Sequence, residues 1–281
     1  MTKHVPVLLN AVMGALGNIS GARVVDATFG AGGYSRAFLQ AGANVIAFDR
    51  DPHVVSDAKA LQAEFSDRFE FMPRPFSHLS DLTDTFDAIV FDLGISSMQI
   101  DDAGRGFSFR GDGPLDMRMS STGASAADLI AKSSVDELAQ ILRDYGDVKR
   151  AGAMARMIKN AAPKTTFELR DLIRNPHDMA PIFQALRIAV NDEMGELTRA
   201  LNAVPGLLKS GGKCICVTFH SIEDRIVKNT FRNWTTVPGD PRMPVTANAP
   251  FVGIKPQTPT IDEIERNPRA RSAHMRGVIK I

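Results

Sequence analysis

The sequence predicts an α/β fold: a mostly parallel sheet of Rossmann-like type with an inserted all-helical domain. Three observations carry this. The first hundred residues alternate short β-branched runs with amphipathic stretches, the pattern of successive βαβ units. Near residue 104 the rhythm breaks, and helical periodicity continues without a convincing strand. "LLKSGGKCICVTFH" (207–220) then resumes the strand pattern. The predicted division is 1–103 with 186–281 for the sheet-bearing domain and 104–185 for the helical insert.

Element by element, "ARVVDATF", "NVIAFD", "FEFMP" and "FDAIVFDLG" predict strands, with helices in "YSRAFLQAG" and "HVVSDAKALQAEF" between them. Three of these strands end in a carboxylate, Asp26, Asp49 and Asp92. Ligands of open parallel sheets sit beyond the carboxyl ends of the strands, so the three acids are expected around one crevice. In the insert, Val135, Leu138, Ile141, Leu142 and Tyr145 form one helical stripe, introduced by a Ser134/Glu137 capping box. "RAGAMARMIKNA" and "TTFELRDLI" follow, the second with Thr165 and Glu168 in capping-box spacing, separated by Pro163. "FQALRIAVNDEMGELTRALNAV" predicts one long helix. The seven prolines between Thr235 and Pro268 predict an extended wrapping loop, and "HMRGVIKI" a closing strand.

Composition sets limits. With 33 Lys+Arg against 32 Asp+Glu the chain has no overall field to attract a polyanion, so any nucleic-acid contact must come from local patches. Cys214 and Cys216 fall on one face of a strand, too close for ordinary disulfide or zinc patterns, and read as reduced core residues; no metal is expected. Pro6 and Asn10 interrupt the apolar "VPVLLNAVMGALG", which lacks the flanks of a signal peptide. No run approaches a membrane span. A cytoplasmic location is expected.

"VVDATFGAGGYS" (24–35) places Gly30, Gly32 and Gly33 directly after a strand, a turn whose backbone can approach a ligand closely. The dinucleotide fingerprint G-x-G-x-x-G would need its third glycine at position 35, which is Ser35. Asp49, nineteen residues beyond Gly30, is placed to accept both hydroxyls of an adenosine ribose. Asp26 precedes the turn, where a carboxylate repels a pyrophosphate and favours a sulfonium and an ammonium. The residues therefore favour S-adenosylmethionine over NAD.

"HVPVLL", "DATFGAGGYS", "FDRDP", "PFS", "DLGISSMQIDDAGRGFSFRGDGPLDMRM", "FQALRIAVNDE", "FHSIEDRIVK" and "NPRARS", in that order from His4 to Arg276, resemble the signature of the bacterial 16S ribosomal RNA cytosine-N4 methyltransferase family. The resemblance implies a class I methyltransferase fold and S-adenosylmethionine-dependent methylation of the N4 amine of a cytidine in 16S ribosomal RNA of the small subunit. It further implies cofactor contacts at Gly32, Gly33, Tyr34, Asp49, Phe76, Asp92 and Gln99. Tyr34 stands where the family often has His, and Met98 where it usually has Pro.

Methyl transfer from a sulfonium is an in-line displacement that needs acceptor, methyl and sulfur held in a row. The cytosine amine delocalises its lone pair into the ring, so a group must accept its hydrogens as it becomes nucleophilic. Enzymes methylating DNA amino groups usually carry Asp-Pro-Pro-aromatic at this strand end; here "DLGISS" keeps only the acid. Either Asp92 or a backbone carbonyl of the Leu93 to Ile95 turn is expected to take the amine hydrogens, with Ser96 and Ser97 orienting the base. "TFHSIEDR" puts His220 and Arg225 at the same edge as substrate-side candidates. The "RGDGPLDMRM" loop, with Asp116 and Arg118, is expected to close over the site. Lys149, Arg150, Arg156, Lys159, Lys164, Arg266, Arg269, Arg271 and Arg276 are candidate phosphate contacts. One Trp and two Tyr offer few stacking platforms, so recognition is expected to read a folded ribosomal surface. A different amine acceptor, or a non-catalytic RNA-binding assembly protein of the same fold, are the competing readings.

Overall fold

The computed structural model describes residues 6–237 and 249–281. Helix α1 (Leu9–Leu16) leads into β1 (Arg23–Asp26), α2 (Gly33–Gln40), β2 (Asn44–Phe48), α3 (Val55–Phe65), β3 (Phe69–Met72) and β4 (Phe86–Asp92). The strands fall where the β-branched runs placed them. Val24 and Val25 of β1 are both fully buried, as expected of a parallel strand covered on both faces.

Ile95–Met194 then forms a compact unit of its own, while the residues before and after it form the other. This boundary lies outside the 104–185 span read from the change in rhythm, because the "ISSMQID" helix is already part of the helical unit. The unit holds α4 (Ser97–Asp101), α5 (Ala126–Lys132), α6 (Val135–Gly146), α7 (Ala151–Ala161), α8 (Thr166–Leu172) and α9 (Met179–Asn191). Its core includes Leu115, Met117, Ile130, Leu138, Leu142, Ile158 and Leu186. Both expected capping boxes form, at Ser134 with Glu137 and at Thr165 with Glu168. The long helix predicted over 183–204 is instead two: α9 ends at Asn191, Asp192 takes the left-handed conformation at φ +48°, and α10 (Glu193–Leu207) begins. Asn and Asp tolerate that conformation. Asn191 also fixes the break, because its buried amide serves the Met119 N–H and the Met117 carbonyl, both at 2.7 Å.

The second part of the sheet-bearing unit adds β5 (Leu208–Thr218), α11 (Ser221–Thr235), β6 (Phe251–Gln257), α12 (Ile261–Arg266) and β7 (His274–Lys280). The seven strands are ordered β3-β2-β1-β4-β5-β7-β6. Pairs from β3 through β5 are parallel, and β7 runs antiparallel to both its neighbours. Apolar residues alternate between two faces, Val24, Val90 and Ile215 on one and Val25, Ile89 and Phe91 on the other. Cys214 and Cys216 lie reduced in the second core. Gly211 and Gly212 lie inside β5 at a register shift in the β4/β5 pairing, where Gly211 adopts φ +79°.

The extended loop predicted for 235–268 is corrected over the residues described: β6 and α12 occupy it. Among the described residues β6 pairs with β7 alone, at the sheet edge, with a register break between Ile254 and Gln257. There Pro256 is accommodated, because an edge strand has one side whose donors need no partner. Residues 238–248 of that segment, and His4, lie outside the described residues. Among the described residues no helix is long and apolar enough to cross a membrane.

Candidate active site

The strand order reverses at β1, which pairs with β2 on one side and β4 on the other. A parallel sheet leaves its ligand crevice at such a switch point. Here the chain leaves β1 through a turn stitched to both neighbours: Ala27 N donates to the Val90 carbonyl and Phe29 N to the Phe48 carbonyl, each at 2.8 Å. Thr28 links two of the acids. Its amide donates to Asp26 Oδ1 at 3.2 Å, and its hydroxyl oxygen accepts from the Asp92 N–H at 2.7 Å. Asp49 accepts from the amides of Gly30 and Asp51, both at 2.8 Å. Gly32 adopts φ +74°, and a Cβ there would lie 2.8 Å from the Phe29 ring; Gly30, at φ +53°, faces open space.

Ser35, which spoils the dinucleotide fingerprint, is fully buried and donates to Asp26 Oδ2 at 2.6 Å. The position that argued against a pyrophosphate therefore holds the acid that favours a cation.

The electrostatics point the same way. Burial raises Asp26 from 3.8 to about 6 against the opposing hydrogen bonds of Ser35 and Thr28, and the charge of Asp49 adds to the rise. Asp49 is also raised by burial, partly offset by the Asp51 and Gly30 amides. Asp92 is held well above the ordinary carboxylate range by burial, then by the charges of Asp26 and Glu223. Its Oδ1 is buried and has no hydrogen-bond partner among the described residues. Such carboxyls gain most from a ligand that brings positive charge and donors. The sulfonium and ammonium of S-adenosylmethionine fit this donor set, and a pyrophosphate does not.

Around this centre, the Phe76 ring meets Phe91 of β4 edge to face at 5.8 Å. Tyr34 is buried with its hydroxyl donating to the Val7 carbonyl. His220 is the N-cap of α11: its Nε2 lies 3.0 Å from Glu223 Oε2, and Glu223 Oε1 accepts from the backbone amides of Phe219 and His220. The buried Glu223 carboxylate thus ties the imidazole to the start of the helix. Arg225 is exposed on the same helix. Arg276, a candidate phosphate contact, forms a two-pronged pair with Asp224 at 2.7 and 2.8 Å. Burial pulls the Asp224 carboxyl up, but the Arg276 bonds and charge outweigh it and leave it below its ordinary value.

Within the helical unit, Ser96 and Gln99 form a capping box: the Ser96 hydroxyl accepts from the Gln99 amide at 3.2 Å, and Gln99 Oε1 from the Ser96 amide at 3.0 Å. Ser97 opens α4. Asp116 and Arg118 pair through two bonds of 2.8 and 2.7 Å. Their loop, expected as a flap, is anchored: Leu115 and Met117 are core residues, and Arg105 donates to the carbonyls of Arg118 and Met119 at 3.0 and 3.1 Å. Lys159 donates to the Ile130 and Ala131 carbonyls at the end of α5, so it is a helix cap, whereas Lys149, Arg150, Arg156 and Lys164 are exposed.

Sequence reasoning found the three acids and the turn. It missed Thr28, Ser35 as the partner of Asp26, and Glu223 as the group facing His220. Only Glu223 carried a readable signal, its spacing of three from His220.

An antiparallel β7 between β5 and β6, together with a strand-end crevice that favours a cation over a pyrophosphate, defines a class I methyltransferase that uses S-adenosylmethionine. The sequence narrows this further: the profile of the MraW methylase family matches residues 1–281, and the chain belongs to that family. It is 45% identical over 303 residues to the ribosomal RNA small subunit methyltransferase H of Brucella anthropi, covering 99% of this chain and 87% of that one. It is 45% identical over 295 residues to the protein of the same name from Bartonella bacilliformis, covering 98% and 88%. An rRNA methylase from Streptococcus thermophilus aligns at a TM-score of 0.46 with 12% identity, covering 100% of this chain and 99% of that one.

Proposed function

We propose that the chain methylates the exocyclic N4 amine of a cytidine in 16S ribosomal RNA, presented by the folded small ribosomal subunit in the cytoplasm. The observation that carries this reading is the buried Oδ1 of Asp92 at the end of β4, which has no partner among the described residues. It is supported by the names of the relatives, which are small-subunit rRNA methyltransferases.

When bound, S-adenosylmethionine supplies an electrophilic methyl group. Asp49, already held by two amides, takes the ribose hydroxyls, and the Gly32–Gly33 turn passes close beside the ligand. Phe76 would lie along the adenine. Asp26, steadied by Ser35 and Thr28, contributes negative potential toward the cationic end. On the substrate side, Asp92 Oδ1 accepts a hydrogen bond from the cytosine amine. As the N4–methyl bond forms and the sulfur–methyl bond breaks, the surplus N4 proton passes to Asp92, whose raised affinity for a proton suits it to this role. His220, bonded by Glu223, sets the start of α11 and places Arg225 toward RNA phosphate. The cytidine must enter unstacked.

The test is methyl incorporation from labelled cofactor into small ribosomal subunits, free 16S rRNA and DNA, followed by nucleoside mass spectrometry. The expected product is N4-methylcytidine from the subunits. Labelled DNA with unlabelled rRNA would overturn the reading.

A further inference from the structure

Pro6, Val7 and Leu8 cross the glycine turn and are held there by residues distant in sequence. The Tyr34 hydroxyl donates to the Val7 carbonyl. The Leu8 amide donates to Glu263 Oε1 at 2.6 Å. The Pro6 ring occupies the space that any Cβ at Gly33 would need. Leu8 itself sits at φ +56°, in the left-handed region that leucine rarely adopts, while its side chain is buried in the core. A conformation of that kind persists only where its surroundings impose it. Glu263 is fixed in turn, because its amide donates to the Thr260 hydroxyl at 3.2 Å in the first turn of α12.

We infer that Glu263 is a positioning residue for the cofactor turn: through the Leu8 amide it holds the 6–8 strap across Gly33 and Tyr34, and so sets the affinity for S-adenosylmethionine. The inference rests on the proposed cofactor position at that turn. The bond joins a backbone donor to a carboxylate, the stronger kind of protein hydrogen bond. Nothing else in the described residues accepts from the Leu8 amide. Tyr34 is the strap's second support. Its hydroxyl serves the strap, so its removal acts through the same segment. Two supports of one segment must be energetically coupled.

The test is calorimetric binding of S-adenosylhomocysteine to the full chain, for the wild type, Glu263→Ala, Glu263→Gln, Tyr34→Phe and the double variant Glu263→Ala/Tyr34→Phe. Hydrogen exchange at the Leu8 amide is followed alongside. Glu263→Ala is expected to weaken binding about tenfold, as loss of one charge-assisted bond implies. Glu263→Gln keeps an acceptor and is expected within about threefold of the wild type. Leu8 exchange should rise in Glu263→Ala while core amides stay protected, kcat at saturating cofactor should be retained, and the double variant should lose less than the product of the two single losses. Wild-type affinity in Glu263→Ala, or a loss matched by general loss of protection, would overturn the assignment. Failure of the wild type itself to bind would overturn the underlying cofactor reading and this inference with it.

Discussion

Replacing Gly32 by Ala probes the turn where backbone geometry and packing act together. At φ +74° an L-residue is disfavoured, by about 1 to 2 kcal/mol. The added methyl would also lie 2.8 Å from the Phe29 ring. That ring cannot retreat cheaply: Phe29 is buried, with its centroid 5.8 Å from Phe69 and 5.2 Å from Phe71. Overpacking of this kind costs about 1 to 3 kcal/mol. Gly32→Ala should therefore destabilise by about 2 to 5 kcal/mol in urea titrations. Gly30→Ala is the control. It shares a positive φ but faces open space, so its stability loss should be only about 1 to 2 kcal/mol. The methyl there would enter the open space beside the turn where the cofactor is proposed to lie, so Gly30→Ala should lose cofactor affinity out of proportion to its stability. Equal stability losses for the two variants, or undiminished binding by Gly30→Ala, would refute this account of the turn.

Further consequences follow from the other acids and from the surface. Folding raises Asp26 to about 6, so the folded chain holds that proton more tightly. The stability this contributes is complete below about pH 4 and is lost as pH rises through 6. Relative to Asp26→Asn, the wild type should lose on the order of 3 kcal/mol between pH 4 and pH 7.5; a difference that stays flat with pH would contradict the buried-acid assignment. Cofactor affinity should rise over the same window, as Asp26 becomes anionic, when measured by calorimetry at pH 5 and pH 7.5. Asn191→Ala leaves the Met119 N–H and Met117 carbonyl unserved in the helical core and should cost about 3 kcal/mol by urea titration; a loss below about 1 kcal/mol would mean that Asn191 does not hold the break between α9 and α10. Replacing Arg269 and Arg271 by Ala should flatten the dependence of log affinity for subunits on log salt by about 1 for each phosphate left without its arginine.

Much of this was legible in the sequence because it is local. β-branched runs closed by acids marked β1, β2 and β4, and spacings of three marked the caps of α6 and α8. What was hidden depends on contacts distant in sequence. The break at Asn191 and Asp192 contains neither Gly nor Pro, and it is stabilised by a loop more than seventy residues earlier. β6 carries a proline and almost no alternation, and its place at the sheet edge makes both tolerable. Lys159 and Arg276 read as candidate phosphate contacts, whereas in the fold they face the Ile130 and Ala131 carbonyls and Asp224. The same applies to the site. Asp26, Asp49 and Asp92 could be placed from their strand ends, whereas Thr28 and Ser35 gain meaning only when the turn folds back against Asp26.

Asp92 Oδ1 is proposed to receive the proton displaced from a cytidine N4 amine. Single-turnover methylation of small ribosomal subunits by the wild type and Asp92→Asn, at saturating cofactor and with the product nucleoside identified by mass spectrometry, tests it most directly. N4-methylcytidine formed by the wild type, with a rate at least about a hundredfold lower in Asp92→Asn and cofactor binding retained, is the predicted result. Asp92→Asn turning over at the wild-type rate, or methylation at ring carbon in place of N4, would contradict it.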